Sequence, residues 1–440
     1  MEEKNSEKKE RKMRDSGIPW IREVPEGWGV NKIKYHLTRN EIKNKPDKQV
    51  LSVYRDYGVI PKDSRDDNHN VTSEDTSKYK YVQKGDLVIN KMKAWQGSLG
   101  VSKYEGIVSP AYYIYKFHDD SFDGKFFHYL IRGCYKDEFR RISGGIREGQ
   151  WDLSAEKFEN TMIIIPPVSE QHRIADFIDS KCSEIDTLIE NLRARMESAK
   201  EYKKAVITEA VTKGLDKDAK MKDSGVEWIG EIPEEWKTPK LKNVAILTNG
   251  DRGKNYPSGN DLVDDGICFF TANNIHEQYL DCSSDKNKFI TESRYNILGG
   301  AKIKLNDILF CLRGSTAGNA AINKTVNAGT IASSLVCITP QYINPDYLNY
   351  YLQSEMNAIQ TSLFMNGSCA ANLSAENVLN YYIIQPSTLE QQQIVSYLDS
   401  KCFEIDALLQ NYENQIATLE EYKKSLIYEY VTGKKEVPAA

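Results

Sequence analysis

Seven short stretches of this chain concentrate side chains of the kinds that recognise nucleic acid. In the first half they are Arg65, Asn68 and Asn70; Lys91, Lys93, Trp95 and Gln96; and Arg140, Arg141 and Arg147. In the second half they are Arg252, Lys254, Asn255 and Tyr256; Asn273 and Asn274; Arg313 and Ser315; and Asn366. Arginine can donate in pairs to guanine, and Asn or Gln can match the donor and acceptor of adenine. Lysine neutralises phosphate, and the polar side chains between them fix register on the backbone. Loops of this composition also occur as plain solvated turns, so residue type alone leaves each of them open.

Other chemistry finds little footing. Asn344-Pro345-Asp346-Tyr347 resembles the Asn/Asp-Pro-Pro-Tyr/Phe box of amino-methyltransferases, but Asp346 stands where a second proline belongs. No strand leading into a Gly-rich loop for S-adenosylmethionine accompanies it. An Asn N-cap with Pro at the first helical position explains these residues, and the counterpart Asp123-Gly124-Lys125-Phe126 opens a helix over Phe126–Ile131. There is no GxxxxGK[ST] loop, no HExxH and no Ser/His/Asp grouping in convincing context. Gly144-Gly145 and Gly299-Gly300 read as turns. The eight cysteines show neither CxxC nor Cys/His spacing, which argues against a zinc site or a disulfide framework and for a reducing cytoplasm. The chain reads as non-catalytic, with no cofactor or metal of its own.

The elements that must position those loops come in two copies. Lys12-Met13-Arg14-Asp15-Ser16-Gly17-Ile18-Pro19-Trp20-Ile21, with Pro25-Glu26 and Trp28 behind it, returns as Lys220-Met221-Lys222-Asp223-Ser224-Gly225-Val226-Glu227-Trp228-Ile229, with Pro233-Glu234 and Trp236. Glu170-Gln171, Ile174 and Asp179-Ser180-Lys181-Cys182 recur as Glu390-Gln391, Ile394 and Asp399-Ser400-Lys401-Cys402. The first pair is offset by 208 positions and the second by 220, so the variable part of the second copy is 12 residues longer. Repeated ends around divergent middles describe one scaffold, doubled, that holds two different readers.

The repeated ends are helical. Ile174, Ile178, Cys182, Ile185, Ile189, Leu192, Met196, Ala199, Tyr202, Val206 and Ala210 follow one another at gaps of three or four. The second copy has Ile394, Leu398, Cys402, Ile405, Leu409, Tyr412, Ile416, Leu419, Tyr422, Leu426 and Tyr430 at the same rungs. Each stripe runs along a helix of about 43 residues, or roughly 64 Å. A narrow stripe needs a partner, so the two helices are expected to pair as an antiparallel coiled coil. Cys182 and Cys402 lie on it as buried thiols. Ser169 and Thr388 stand near the starts, with Glu170 and Glu390 in the first turns.

The middles, about 30–165 and 238–385, mix short β-type runs, turns and a few helices, without a crossover series, and each is expected to form an α+β globule. Lys84-Gly85-Asp86-Leu87-Val88-Ile89 matches Leu305-Asn306-Asp307-Ile308-Leu309-Phe310 as a turn feeding a strand. Net charge is −5, yet Val30–Pro167 carries 23 Lys+Arg against 19 Asp+Glu and Ser387–Gly433 carries three against eight. A nucleic-acid surface must therefore be a local patch. No run of 18 apolar residues suggests a membrane span, and residues 1–12 read as a disordered tail without the apolar core of a signal peptide.

Together the Asp15-Ser16-Gly17…Trp20-Ile21…Pro25-Glu26-Gly27-Trp28 opening and its copy, Pro166-Pro167…Glu170-Gln171…Ile174 at the helix start, and the duplication resemble the specificity subunit of type I restriction-modification systems. Gln385-Pro386-Ser387 departs from the usual double proline. The resemblance implies target recognition domains over 13–168 and 215–387, long helices over 169–214 and 388–433, and a short tail over 434–440. It implies that each domain grips one half of a split double-stranded DNA site while the helices hold the two apart. It also implies two modification subunits that bring S-adenosylmethionine, and two restriction subunits that bring ATP and magnesium chemistry. A self-contained methyltransferase or nuclease, and a tandem scaffold that binds only protein, are the competing readings.

Overall fold

The computed structural model describes residues 11–438 apart from 56, 65–71, 73–74, 119–121, 146–150, 254, 258, 277–278, 282–287 and 366–371. Nearly all of the expected 1–12 tail lies outside the described residues. Contacts divide the chain into two units, Met1–Leu192 with Asn414–Ala440, and Arg193–Glu413.

The first unit is built on a four-stranded antiparallel sheet in the order Leu37–Arg39, Tyr112–Phe117, Leu87–Asn90, Leu99–Val101. Its central strand Leu87–Asn90 is buried along its whole length. Successive side chains point to opposite faces. Leu87 and Ile89 join the core that contains Phe126, Phe127, Leu130 and Ile131, whereas Val88 joins a second core with Leu51, Val53, Val59 and Val108. That is why the run is continuously apolar instead of alternating. Helix α1 (Gly124–Cys134) supplies the first cover, started by Asp123, whose carboxylate accepts from the Phe126 amide. It begins two residues before the expected span and ends three residues after it. Helix α2 (Lys136–Ile142) follows, then α3 (Ala155–Glu159), capped by Ser154. Helix α4 (Val168–Lys213) starts in this unit.

In the second unit the corresponding strand, Ile308–Cys311, also alternates between two cores: Ile308 and Phe310 face the helices, Leu309 and Cys311 the other side. It sits third in a six-stranded sheet, behind Ala245–Asn249 and Leu335–Pro340. A further five-stranded sheet, absent from the first unit as described, contains a parallel pairing of Ile267–Phe270 with Gly329–Ile331. Here lie α5 (Glu292–Ile297), α6 (Pro345–Gln353), α7 (Glu355–Phe364) and α8 (Ala375–Leu379), capped by Ser374. Asn344 caps α6, accepting from the amides of Asp346 and Tyr347, with Pro345 at its first position. Tyr347 is fully buried and its hydroxyl donates to the Ile384 carbonyl at 2.8 Å, so the methyltransferase-like tetrapeptide is a helix start. The last helix, α9 (Thr388–Val431), is capped by Ser387, one residue before the Thr388 expected from sequence. The fold is α+β in both units.

Both long helices contribute to both units. In the first, Phe177 packs on Tyr430 at 4.6 Å between ring centres and Lys423 Nζ meets Asp186 at 2.6 Å, so advancing along α4 means retreating along α9. The pairing is antiparallel. In the second unit Lys203 Nζ meets Asp406 at 2.6 Å. These are one repeated ion pair with the helices exchanged. They also correct the stripe: Tyr202 and Tyr422 are 60% and 54% exposed, while Lys203 is buried. Stepping four from Ala199 and three to Val206 keeps the helical period and turns Lys203 inward, its apolar stem packed and its ammonium on the carboxylate. Cys182 and Cys402 are buried as expected. Among the described residues no helix is long and apolar enough to cross a membrane, and no group of side chains could hold a metal ion.

Candidate nucleic-acid interface

Each unit turns the C-terminal end of its central strand into a loop that runs beside the start of a short capped helix. In the first unit that loop is Asn90–Ser98. Its ends are joined by the bond from the Asn90 amide to the Ser98 carbonyl, and Lys91 O accepts from the Leu153 amide just before α3. In the second unit Leu312 O accepts from the Leu373 amide just before α8 in the same way. Gly97 and Gly318 close the two loops at φ 94° in both, a conformation in which a side chain is strained. A Cβ on Gly318 would also lie 2.9 Å from the Thr361 hydroxyl. The frame is shared; the side chains on it are not.

On the first unit's loop, Trp95 meets Trp151 edge-on at 5.6 Å, and its Nε1 donates to the Met92 carbonyl. Lys91 lies 3.6 Å from the Asp152 carboxylate, Lys93 is exposed and Gln96 half-buried. Arg140 and Arg141 are exposed on α2, but Arg141 is clamped by both oxygens of Glu138, at 2.6 and 2.7 Å. That clamp raises the Arg141 pKa through the Glu138 hydrogen bonds. Arg65, Asn68, Asn70 and Arg147 lie outside the described residues.

On the second unit, Arg252 and Arg313 converge on one cleft of about 490 Å³, lined also by Asn249 and by Asn372–Asn377. Arg313, Ser315 and Arg252 are exposed. The Arg252 loop is held by Asp251, whose carboxylate accepts from the Gly253 and Gly299 amides, and these bonds lower its pKa. Gly250 and Gly300 permit the approach: a Cβ there would sit 2.4 Å from Ala332 O and 2.3 Å from the Asp251 amide. Ser315 follows Arg313 on the same turn. The structure does not gather the remaining candidates there. Asn255 donates to the Ile297 carbonyl, and Tyr256 packs edge-on against Phe269 at 5.7 Å. Asn273 is exposed on a separate turn. Asn274 is a correction: it is completely buried, with Oδ1 accepting from the Thr271 amide and Nδ2 donating to the Asp281 carbonyl, so it braces a turn and presents nothing outward. Lys254 and Asn366 lie outside the described residues.

Sequence reasoning missed Asn372, Glu376 and Asn377. The signal was present, since Leu373-Ser374-Ala375-Glu376 repeats Leu153-Ser154-Ala155-Glu156, but it identified only a helix start.

A family model described as the type I restriction modification DNA specificity domain matches residues 25–198 and again 233–418. The chain belongs to that family. The Type I restriction enzyme EcoBI specificity subunit of Escherichia coli is 24% identical over 324 residues, 72% of this chain and 66% of that protein. The Type I restriction enzyme MjaVIII specificity subunit of Methanocaldococcus jannaschii is 26% identical over 286 residues, 64% of this chain and 63% of the relative. The aligned parts thus span slightly less than two thirds of either relative. A chain from a structure concerned with complex assembly and conformational transition of the type I R-M system superposes with a TM-score of 0.70. It is 14% identical, with 94% of this chain and 99% of that one covered, a likeness of fold. The two family matches fall one within each of the two copies read from the sequence.

Proposed function

We propose that this chain is the DNA-specificity subunit of a type I restriction-modification complex, acting in the cytoplasm. The carrying observation is that one strand–loop–helix frame recurs in both units and presents different side chains. A frame doubled to bind a single ligand twice would repeat its loops as well. Each unit binds one half of a bipartite duplex site, and the paired helices set the spacing and dock two modification subunits. Restriction subunits join the same assembly. S-adenosylmethionine, ATP and magnesium are brought by those partners, and this chain supplies address and spacing without catalysis.

Exchange of residues 30–165 for the matching segment of a relative tests this reading. It should change one half of the methylated site and leave the other half and the gap intact; a change in both halves would refute modular reading. The spacing role is tested by matched four-residue insertions, between Arg195 and Met196 and between Gln415 and Ile416. Both helices must be lengthened because they pack side by side in each unit. Four residues add roughly 6 Å, so with ~3.4 Å per base pair the gap should grow by at most about two. An active variant with an unchanged gap would show that the partner subunits set the spacing.

A further inference from the structure

We infer that the cleft between the Arg313 turn and the start of α8 reads a G·C base pair in the major groove, Arg313 donating to guanine and Glu376 accepting from cytosine. The inference rests on the DNA-specificity reading and narrows it to one pair of residues and one base pair.

Arg313 and Glu376 are both exposed and line the same cleft. A guanidinium and a carboxylate that share a cleft ordinarily neutralise each other. Among the described residues they form no ion pair, and neither side chain has a hydrogen-bond partner. The other arginine of the cleft is tied back, Arg252 Nη2 donating to the Ser333 carbonyl at 3.2 Å, and Asn377 is tied to the Phe364 carbonyl at 3.0 Å. Two groups of opposite sign are therefore left facing outward on a braced frame. Their backbones are fixed by the Arg313–Asn372 bridge and by the Ser374 cap of α8.

The major-groove edge of G·C fits that pair. Guanine offers two acceptors, N7 and O6, to a guanidinium, and cytosine offers an N4 amino donor to a carboxylate. An A·T pair meets Arg313 with a donor beside an acceptor, and meets Glu376 with the O4 acceptor of thymine, which repels a carboxylate. Both residues thus reject the same wrong pair. Among the described residues the first unit does not repeat this pair: Met92 stands at the position of Arg313, and an ion pair between Lys91 and Asp152 and the Trp95–Trp151 contact occupy the equivalent loop.

The test uses the full chain assembled with its modification subunits on a library of randomised duplexes, read by sequencing the methylated sites. Arg313→Ala and Glu376→Gln should each relax one and the same position, G·C in the wild-type site, by roughly 10- to 100-fold in discrimination. Arg313→Lys should behave like Arg313→Ala, because an ammonium cannot make the bidentate contact. Both side chains are exposed, so circular dichroism should be unchanged. Three results would overturn the inference: relaxation at an A·T position, an unaltered motif, or equal weakening on all duplexes with the salt slope reduced by about one, which marks a phosphate contact. A wild-type assembly with no sequence preference at all would instead bring down the specificity reading.

Discussion

The two places where a globule joins its own long helix solve one problem with different donors. In the first, Trp28 Nε1 donates to Glu170 at 2.9 Å, and the other carboxylate oxygen accepts from Arg11 at 2.5 Å, whose guanidinium also lies 5.3 Å from the Trp28 ring. In the second, Trp236 donates to Glu390 at 3.1 Å, and the other oxygen accepts from the amide and hydroxyl of Ser387. Pro167 occupies the place of Ser387 in the first copy and has neither donor. Ala219 occupies the place of Arg11 in the second. What the scaffold preserves is a carboxylate satisfied on both sides, with an indole locked beneath it. The identity of the second donor is free to drift, just as the reading loops are.

That comparison can be broken or sharpened by substitution. The largest effect belongs to the indoles: Trp28→Ala and Trp236→Ala should each cost about 3–5 kcal/mol, because both rings are almost fully buried. Hydrogen exchange resolved by unit should show each loss confined to its own globule, and unequal losses would mean that the junctions are not equivalent. Next come the helix–helix ion pairs. Lys203 is far more buried than Lys423, so Asp406→Ala takes a carboxylate from a buried ammonium and should cost roughly 2 kcal/mol, whereas Asp186→Ala should stay near the ~0–1 kcal/mol of an exposed pair. Urea midpoints of the two variants decide it.

Ser387→Pro should cost the second unit about 1–2 kcal/mol through its lost cap. Adding Ala219→Arg should recover part of that loss by importing the first unit's solution; a double-mutant cycle with no coupling would break the proposed equivalence. The smallest effect is on pH. Burial raises the Glu390 pKa, but hydrogen bonds from Ser387 and Trp236 outweigh it and hold the carboxyl below its ordinary value of 4.5. A carboxylate depressed in this way stabilises the fold above 4.5 and loses that contribution as pH falls through the folded value. Ser387→Ala should therefore lower the urea midpoint of the second unit at neutral pH and flatten its fall between about pH 6 and 3, so that wild type and variant converge in acid.

The long helices were legible because a 3.6-residue period repeated over eleven rungs leaves few alternatives. The two misplaced rungs, Tyr202 and Tyr422, show the limit: a count of apolar letters cannot see a lysine turned inward by a carboxylate more than two hundred positions away. Asn344 and Asp123 were legible as caps because capping is local. The sheets were not, since strands such as Gly329–Ile331 and Ile267–Phe270 pair across some sixty residues through a few bonds each. In the reading surface, residue type singled out Arg252 and Arg313 but equally Asn274, which is spent inside a turn. Glu376 passed unnoticed because an acidic residue after a Ser cap has a sufficient local explanation.

Because Asn414–Ala440 completes the first unit, that unit cannot be finished when its own residues leave the ribosome. Gly433 approaches so closely that a Cβ there would meet the ring of Pro25 at 2.6 Å and Trp28 at 2.9 Å, and the Tyr428 hydroxyl donates to the Trp20 carbonyl. At ~5–20 residues per second, the first globule waits on the order of tens of seconds for its closing segment while the entire second unit is made. A nascent chain cut short by a nonsense codon would leave the apolar flank of α4 bare and become a target for chaperones and proteases.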